Sequence, residues 1–240
     1  MSRSELLNNW SVTPGEARAI QERLRRRVSR RNAVRRERVR LVAGIDVSVR
    51  NNVSRAAVVV LDFATMTPVE TALAVMPTPF PYVPGLLSFR ECPVVCAAYE
   101  KLTVRPDVAL VDGQGIAHPR RIGLASHLGL LLNLPTVGCG KTRFIGVHDE
   151  PWHEAGCYAE LIDDGRLSGL PGELIGGVLR TRTGVKPLYV SIGHRIDLPT
   201  ALDLVLACGR GYRLPEPIRL AHHAAGGGAA RQIAGPKRGG

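Results

Sequence analysis

Two aspartates sit where a folding chain rarely leaves charge. Asp46 interrupts an apolar strand, in Gly44-Ile45-Asp46-Val47-Ser48. Asp112 ends the apolar run Val108-Ala109-Leu110-Val111 and is followed by Gly113. A carboxylate in such a place is costly unless it is paired or holds a metal. An acid at the C-terminal end of a strand is well placed for a site in an open α/β sheet. If the two strands are neighbours, both carboxylates point into one cleft. Oxygen ligands of that kind suit Mg²⁺ or Mn²⁺. The bland alternative for each is a cap or a turn residue.

The stretch from Asp112 to Arg121, Asp-Gly-Gln-Gly-Ile-Ala-His-Pro-Arg-Arg, carries the most information. Its two glycines let the backbone approach a ligand closely. His118, Arg120 and Arg121 put donors and charge beside the proposed metal site, as a phosphate-handling loop would. Lys141 follows Gly138-Cys139-Gly140 on a flexible hinge and can reach a phosphate. The Gly-x-x-x-x-Gly-Lys-Ser/Thr spacing of a P-loop is absent. Arg219-Leu220-Ala221-His222-His223 offers two imidazoles on an expected helix. Glu91, near the start of another expected helix, reads by itself as a surface acid favouring a helix N-terminus.

The elements that must position these groups are legible in outline. Thr13 and Glu16 form a capping box with Pro14 at the first helical position. Ala17, Ile20, Leu24 and Val28 recur at helical spacing. This basic helix is expected over about 14–36. Its other faces carry Arg23, Arg25, Arg26, Arg27, Arg30 and Arg31, and Arg35, Arg36, Arg38 and Arg40 continue the run. Almost no acid balances it locally, so phosphate contact is favoured over a merely solvated face.

Strands are expected over 39–49, 56–61 and 69–76, joined by short turns at Asn51-Asn52 and Met66-Thr67-Pro68 into an antiparallel meander. The prolines of 77–85 exclude regular structure there. A helix over 86–101 contains Pro93, which should kink or break it. Strand and helix then alternate. Strands are expected at 108–111, 135–138, 157–162, 174–180 and 188–192, and helices at 122–132 and, capped by Asp197, at 198–208. The fold class is therefore α/β, a mixed sheet with flanking helices. One domain spans 1–223, and a basic Gly/Ala-rich tail, 224–240, is expected to be disordered.

Bulk properties narrow the function. The 240 residues carry a formal charge of +11, which favours polyanions, nucleic acid first among them. No apolar run approaches the roughly 20 residues of a membrane span. Met1 to Trp10 has no apolar core of a signal peptide. The five cysteines are scattered, without zinc spacing, so disulfides and zinc are not expected and the cytoplasm is the expected compartment.

The same residues resemble the endonuclease V family. The matching stretches are Gly44 to Ser48, Pro81-Tyr82-Val83-Pro84, Phe89-Arg90-Glu91, Val111 to Arg121, Gly140-Lys141, Val190 to His194 and Arg219 to His222. They run in the family's order between about Thr13 and His223. The resemblance implies a ribonuclease-H-like fold. It implies that Asp46, Glu91 and Asp112 are metal-binding acids, with Mg²⁺ as the cofactor and Mn²⁺ as a substitute. It implies that His222 completes the site and that Lys141 and His118 act in catalysis or substrate contact. Pro81-Tyr82-Val83-Pro84 resembles the family's strand-parting wedge, with Val where Ile is common. Substrate contacts are implied for Pro81, Tyr82, Pro84, Arg90, Gly113 and His118.

The implied activity is hydrolysis of the second phosphodiester 3′ to a deaminated purine such as deoxyinosine in DNA. The chain would act as a monomer, without a membrane partner. Three alternatives stand beside this: an endoribonuclease acting on inosine in RNA, a resolvase or transposase of the same fold class, and a non-catalytic nucleic-acid-binding module.

Overall fold

The structure, a computed structural model, describes residues 10–227. Expectations for Met1 to Asn9, and for the tail beyond 227, lie outside the described residues.

Ten-residue strands open the sheet. β1 (Leu41–Arg50), β2 (Val53–Asp62) and β3 (Pro68–Pro77) form the expected antiparallel meander. Asn51 and Asn52 both have positive φ, 50° and 57°, as a tight two-residue hairpin requires. β4 (Val108–Val111) and β5 (Thr136–Gly140) extend the sheet in parallel with β1. β6 (Tyr158–Ile162), β7 (Leu174–Leu179) and β8 (Leu188–His194) complete it by antiparallel pairing. The order is β3-β2-β1-β4-β5-β8-β7-β6, an eight-stranded mixed sheet.

Helices cover both faces, because each long strand alternates two apolar sets. Ala43 and Ile45 of β1 face a core built with α2 (Leu87–Tyr99) and α3 (Leu124–Leu132). Val42 faces the other core, with α4 (Leu198–Ala207) and α5 (Glu216–Ala225). Asp197 caps α4 as expected, accepting from the Thr200 amide at 2.9 Å. Gly44 decides how close α5 can come. A Cβ there would lie 1.9 Å from the Pro217 carbonyl oxygen, so only glycine lets the helix rest on β1.

Three expectations are corrected. The N-terminal helix, α1 (Pro14–Leu24), ends well before residue 36. A 3₁₀ turn over Arg25–Arg27 follows, and the chain then extends. Arg25, Arg26 and Arg27 repel one another and none of them is buried, so a helix there lacks a face to pack. Helix α2 runs through Pro93 without a break, because burial of Cys92, Val94 and Val95 outweighs one lost amide donor. Helix α5 continues past residue 223 to Ala225, held by buried Ala224 and Ala225.

The arginine run is also better balanced than its local sequence suggests. Arg25 meets Glu22 at 3.1 Å, Arg30 meets Glu173 at 2.6 Å and Arg36 meets Asp203 at 3.1 Å. Two of these acids are distant in sequence, so local charge counting could not find them.

Candidate active site

Parallel pairing aligns the two aspartates. Ile45 of β1 lies opposite Val111 of β4, and the Asp112 amide donates to the Ile45 carbonyl at 3.0 Å. Asp46 and Asp112 therefore leave neighbouring strands side by side. Helix α5, seated on Gly44, brings His222 to them, with Nδ1 2.7 Å from Asp46 Oδ2. Ligand atoms of Asp46, Asp112 and His222 lie within 4.8 Å of one another. His223 is not part of this group.

Glu91 reaches the same cleft from α2 but stands outside that tight cluster. Burial, with Asp46 and then Asp112 nearby, pushes its carboxyl up to about 8. Asp46 is raised too, first by burial and then by the Asp112 charge. Lys141, just past β5, pairs with Asp112 Oδ2. Arg213 fixes that turn by donating to the carbonyls of Lys141 at 2.6 Å and Pro187 at 2.8 Å. Ser48 and Arg50 line the cleft as well.

A second hollow, of about 240 Å³, adjoins the cleft at Leu87. The Pro81-to-Gly85 loop forms one wall, and Gly113, His118, Ile122 and Phe144 contribute others. One carbonyl anchors the loop. Gly85 O accepts from His118 Nε2 at 3.0 Å, Arg120 Nη2 at 2.9 Å and Gln21 Nε2 at 3.0 Å. The Arg120 amide donates to His118 Nδ1 at 3.1 Å, which leaves the ring proton on Nε2. Burial, and then Arg120, pull His118 down to about 3. His118 thus lines the hollow with a neutral ring braced against the Gly85 carbonyl.

The Asp112–Arg121 loop needs its glycines. A Cβ on Gly115 would lie 2.0 Å from the Ile192 carbonyl oxygen. The two arginines at the loop's end were expected beside the metal and phosphate, and here the structure differs. Arg121 is buried against Asp163 and Glu173, and Arg120 bonds Gln21 at 2.6 Å as well as Gly85. Both shape the loop. Arg90 likewise reaches back to the Phe80 carbonyl, at 3.4 Å.

Tyr82, by contrast, is 71% exposed at the rim of the hollow, and Pro81 and Pro84 are exposed beside it. Phe80, Leu86 and Phe89 root the loop in a small core with Ala17 of α1.

Sequence reasoning missed Gln21 and Arg213. Gln21 had a visible signal, because it lies on the stripe of Ala17 and Leu24 and a polar group there needs partners. Arg213 had none, since its role depends on where the Lys141 turn falls.

A mixed α/β sheet that gathers acids from adjacent strands, a lysine and an imidazole into one cleft defines a metal-dependent nuclease of ribonuclease-H-like fold. The comparisons narrow that class. The endonuclease V family model matches residues 22–223. An endonuclease V from Trichormus variabilis is 52% identical over 214 residues, 88% of this chain and 93% of that protein. The crystal structure of endonuclease V from Streptomyces avermitilis superposes with a TM-score of 0.84 at 43% identity, covering 90% of this chain and 93% of that one. One from Ciona intestinalis, solved with a 23-mer DNA containing an inosine followed by a ribo-adenosine, has a TM-score of 0.78 at 28% identity, covering 90% and 98%. The chain belongs to the endonuclease V family. It is a DNA repair endonuclease acting on deaminated purines, so the non-catalytic binding module is set aside. Among the described residues, no helix is long and apolar enough to cross a membrane.

Proposed function

We propose that this endonuclease holds a deaminated purine, hypoxanthine above all, in the hollow behind Tyr82 and nicks the second phosphodiester on its 3′ side, leaving 3′-hydroxyl and 5′-phosphate ends. The observation that carries this is the junction at Leu87 of a base-sized hollow with an acid-lined cleft. A base must leave the stack to enter the hollow, which is easiest for a mispaired base. Tyr82, exposed between prolines, is placed to fill the gap the base leaves. We read the chain as a monomer, with a single catalytic domain that contains the family match at 22–223.

The cleft's donors fit a divalent ion. Asp46, Glu91 and Asp112 line one cleft, where burial first and the neighbouring acids second raise the Asp46 and Glu91 carboxyls. Asp46, Asp112 and His222 would hold the ion, with Glu91 at its side. Oxygen donors with one imidazole suit Mg²⁺, with Mn²⁺ as a substitute. When bound, such an ion supplies positive charge to the phosphoryl oxygens and acidity to the attacking water. Lys141 is placed to offset charge on the phosphate. Asp46 orients the His222 ring through Nδ1. Arg213 holds Lys141 to its position by the backbone.

Incubation with an inosine-containing duplex and Mg²⁺, with the nick mapped at nucleotide resolution, tests the proposal. One cut after the nucleotide 3′ to inosine is expected, with none in EDTA. Cutting elsewhere, or equally without inosine, overturns it. An RNA strand is the second reading, because the Ciona protein was crystallised on a strand with a ribonucleotide after the inosine. Matched DNA and RNA strands in the same assay separate the two.

A further inference from the structure

The arginines of this chain divide by whether an acid answers them. Arg30 and Arg121 meet Glu173, Arg36 meets Asp203, Arg180 meets Glu150 and Arg219 meets Glu216. Arg50 and Arg55 meet none among the described residues, and Arg55 Nε is buried without a hydrogen-bond partner. An arginine left unanswered in the fold costs little only if it is hydrated or awaits an anion.

Their position favours the anion. β4 pairs with β1 only as far as Ile45, whereas the β1–β2 ladder runs on from Asp46 to Arg50. The hairpin therefore projects past the acids as a ribbon. Side chains alternate along a strand, so Gly44, Asp46, Ser48 and Arg50 share the face on which α5 rests. Ser48 and Arg50 line the same cleft, of about 340 Å³, as Asp46, Asp112, Lys141 and His222. Arg55 lies directly across from Ser48 on β2, which places it on that face too. It sits by the end of α5, where a Cβ on Gly227 would be 3.8 Å from its Nη1. The result is a row of donors leading away from the acids, with a repeat of roughly 6.7 Å for each two residues of strand. Successive phosphates of a nucleic-acid strand repeat on a similar scale.

The direction of the row also matters. The base-sized hollow lies to the β4 and β5 side of the acids, where Gly113, Gln114 and Thr142 line it. The ribbon lies to the β2 side. A strand whose base occupies the hollow and whose bond lies over the acids must continue onto the ribbon.

We propose that Ser48, Arg50 and Arg55 form a phosphate-binding track that grips the strand on the 3′ side of the nick. This rests on the reading that the chain cuts 3′ to the base held in the hollow. The guanidinium groups match phosphate oxygens in pairs, and the Ser48 hydroxyl adds a donor nearer the acids. The contacts are to backbone, so they set register and affinity and do not read sequence.

The test uses inosine duplexes in which one linkage at a time is an uncharged methylphosphonate. Binding is measured without Mg²⁺ for the wild type, Arg50→Gln, Arg55→Gln, Arg55→Lys and the Arg50→Gln/Arg55→Gln pair. The double variant should bind the natural duplex about tenfold or more weakly. Its slope of log affinity against log salt should fall by up to about 1.8, or 0.9 for each lost contact. Neutral linkages 3′ of the cleaved bond should weaken the wild type and leave the double variant indifferent. Neutral linkages on the 5′ side should weaken both equally. Arg55→Lys, which keeps the charge, should recover part of the loss. Arg50 is exposed, so Arg50→Gln reports without disturbing packing.

A double variant as sensitive as the wild type to 3′ linkages, or with unchanged affinity and slope, overturns the track. Nick mapping of the wild type on the natural duplex is the separate control. A wild type that cuts elsewhere overturns the functional reading, whatever the linkage scan shows.

Discussion

The two hollows that meet at Leu87 are built on opposite principles. In the acid-lined cleft the acids outnumber the groups that answer them, Lys141 at Asp112 and His222 at Asp46. Three acids converge on one lysine and one imidazole, and burial first, then the neighbouring acids, raise the carboxyls of Asp46 and Glu91. In the second hollow the donors that brace the Gly85 loop are answered within the protein, although exposed Arg143 and the unpartnered Gln114 Oε1 line it too. His118, Arg120 and Gln21 all end on Gly85 O, and Arg121 is buried between Asp163 and Glu173. Unanswered charge marks a place where a ligand must bring charge. Answered polar groups mark a place where shape is the product. The cleft should therefore respond to ions and charge changes, and the hollow to changes in shape and bracing.

The largest effect is expected at Asp112. Asp112→Asn removes a carboxylate proposed to hold the cation and the partner of Lys141. Cleavage should fall a thousandfold or more, a loss of several kcal/mol of transition-state stabilisation, while inosine duplex binding survives. The variant should also melt higher than the wild type without metal, because it relieves repulsion with Asp46. Added Mg²⁺ should raise the melting temperature of the wild type and not of the variant. Near-normal turnover by folded Asp112→Asn would erase the contrast between the hollows.

Tyr82 comes next. It is exposed, so Tyr82→Ala should fold and keep its ion site. Stacking lost at a parted duplex costs roughly 1–3 kcal/mol, so paired substrate should be cut about 5- to 150-fold more slowly. The loss on single strands should be smaller, since nothing needs parting. Equal losses on both substrates would count against a wedge.

His118 tests the claim that the hollow is braced rather than catalytic. Its ring is held near 3, against an ordinary value of 6.5. The unfolded chain takes up the proton below about 6.5, while the folded chain resists it until about 3. The neutral ring's contribution to stability is therefore complete above 6.5 and is lost as pH falls toward 3. His118→Gln should lower stability by about 1–3 kcal/mol at pH 7 and make the melting temperature less steep between pH 6.5 and 3. The acid limb of the cleavage profile should keep its midpoint in the variant. A shifted midpoint would mean that His118 exchanges a proton with the reaction.

The acids were legible because a carboxylate within a strand, as Asp46, or just past its end, as Asp112, contradicts its apolar neighbours in a single sequence. Strand positions were legible too, since β4 matches its expected limits residue for residue. Glu91 was not visible without the family resemblance, because an acid near a helix start is ordinary. Which arginines are answered by acids was the least legible feature. Pairing between Arg30 and Glu173, or Arg121 and Asp163, joins residues far apart in sequence. Charge counting along the chain sees the cations and misses the acids that fold against them.

That difference gives the smallest expected effect, in the N-terminal arginine run. Arg25 and Arg30 are paired at the surface, each worth about 0–1 kcal/mol. The run also lies away from the cleft. The Arg195 amide donates to Ser29 O at 2.7 Å, and the Ala33 amide donates to Arg195 O at 3.0 Å. His194, beside Arg195, pairs with Thr136 at the start of β5, whereas Lys141 follows its last residue. The run thus packs at the far end of that strand. Arg25→Gln/Arg30→Gln should shift the melting temperature slightly and leave the salt slope of DNA binding unchanged. Arg26 and Arg31 are exposed on the same segment. Arg26→Gln/Arg31→Gln should also leave the slope within error, while Arg50→Gln/Arg55→Gln lowers it. A slope that falls by about 0.9 for each of Arg26 and Arg31 would place phosphates along this run after all. The bound strand would then have to wrap around the sheet from the cleft to the start of β5.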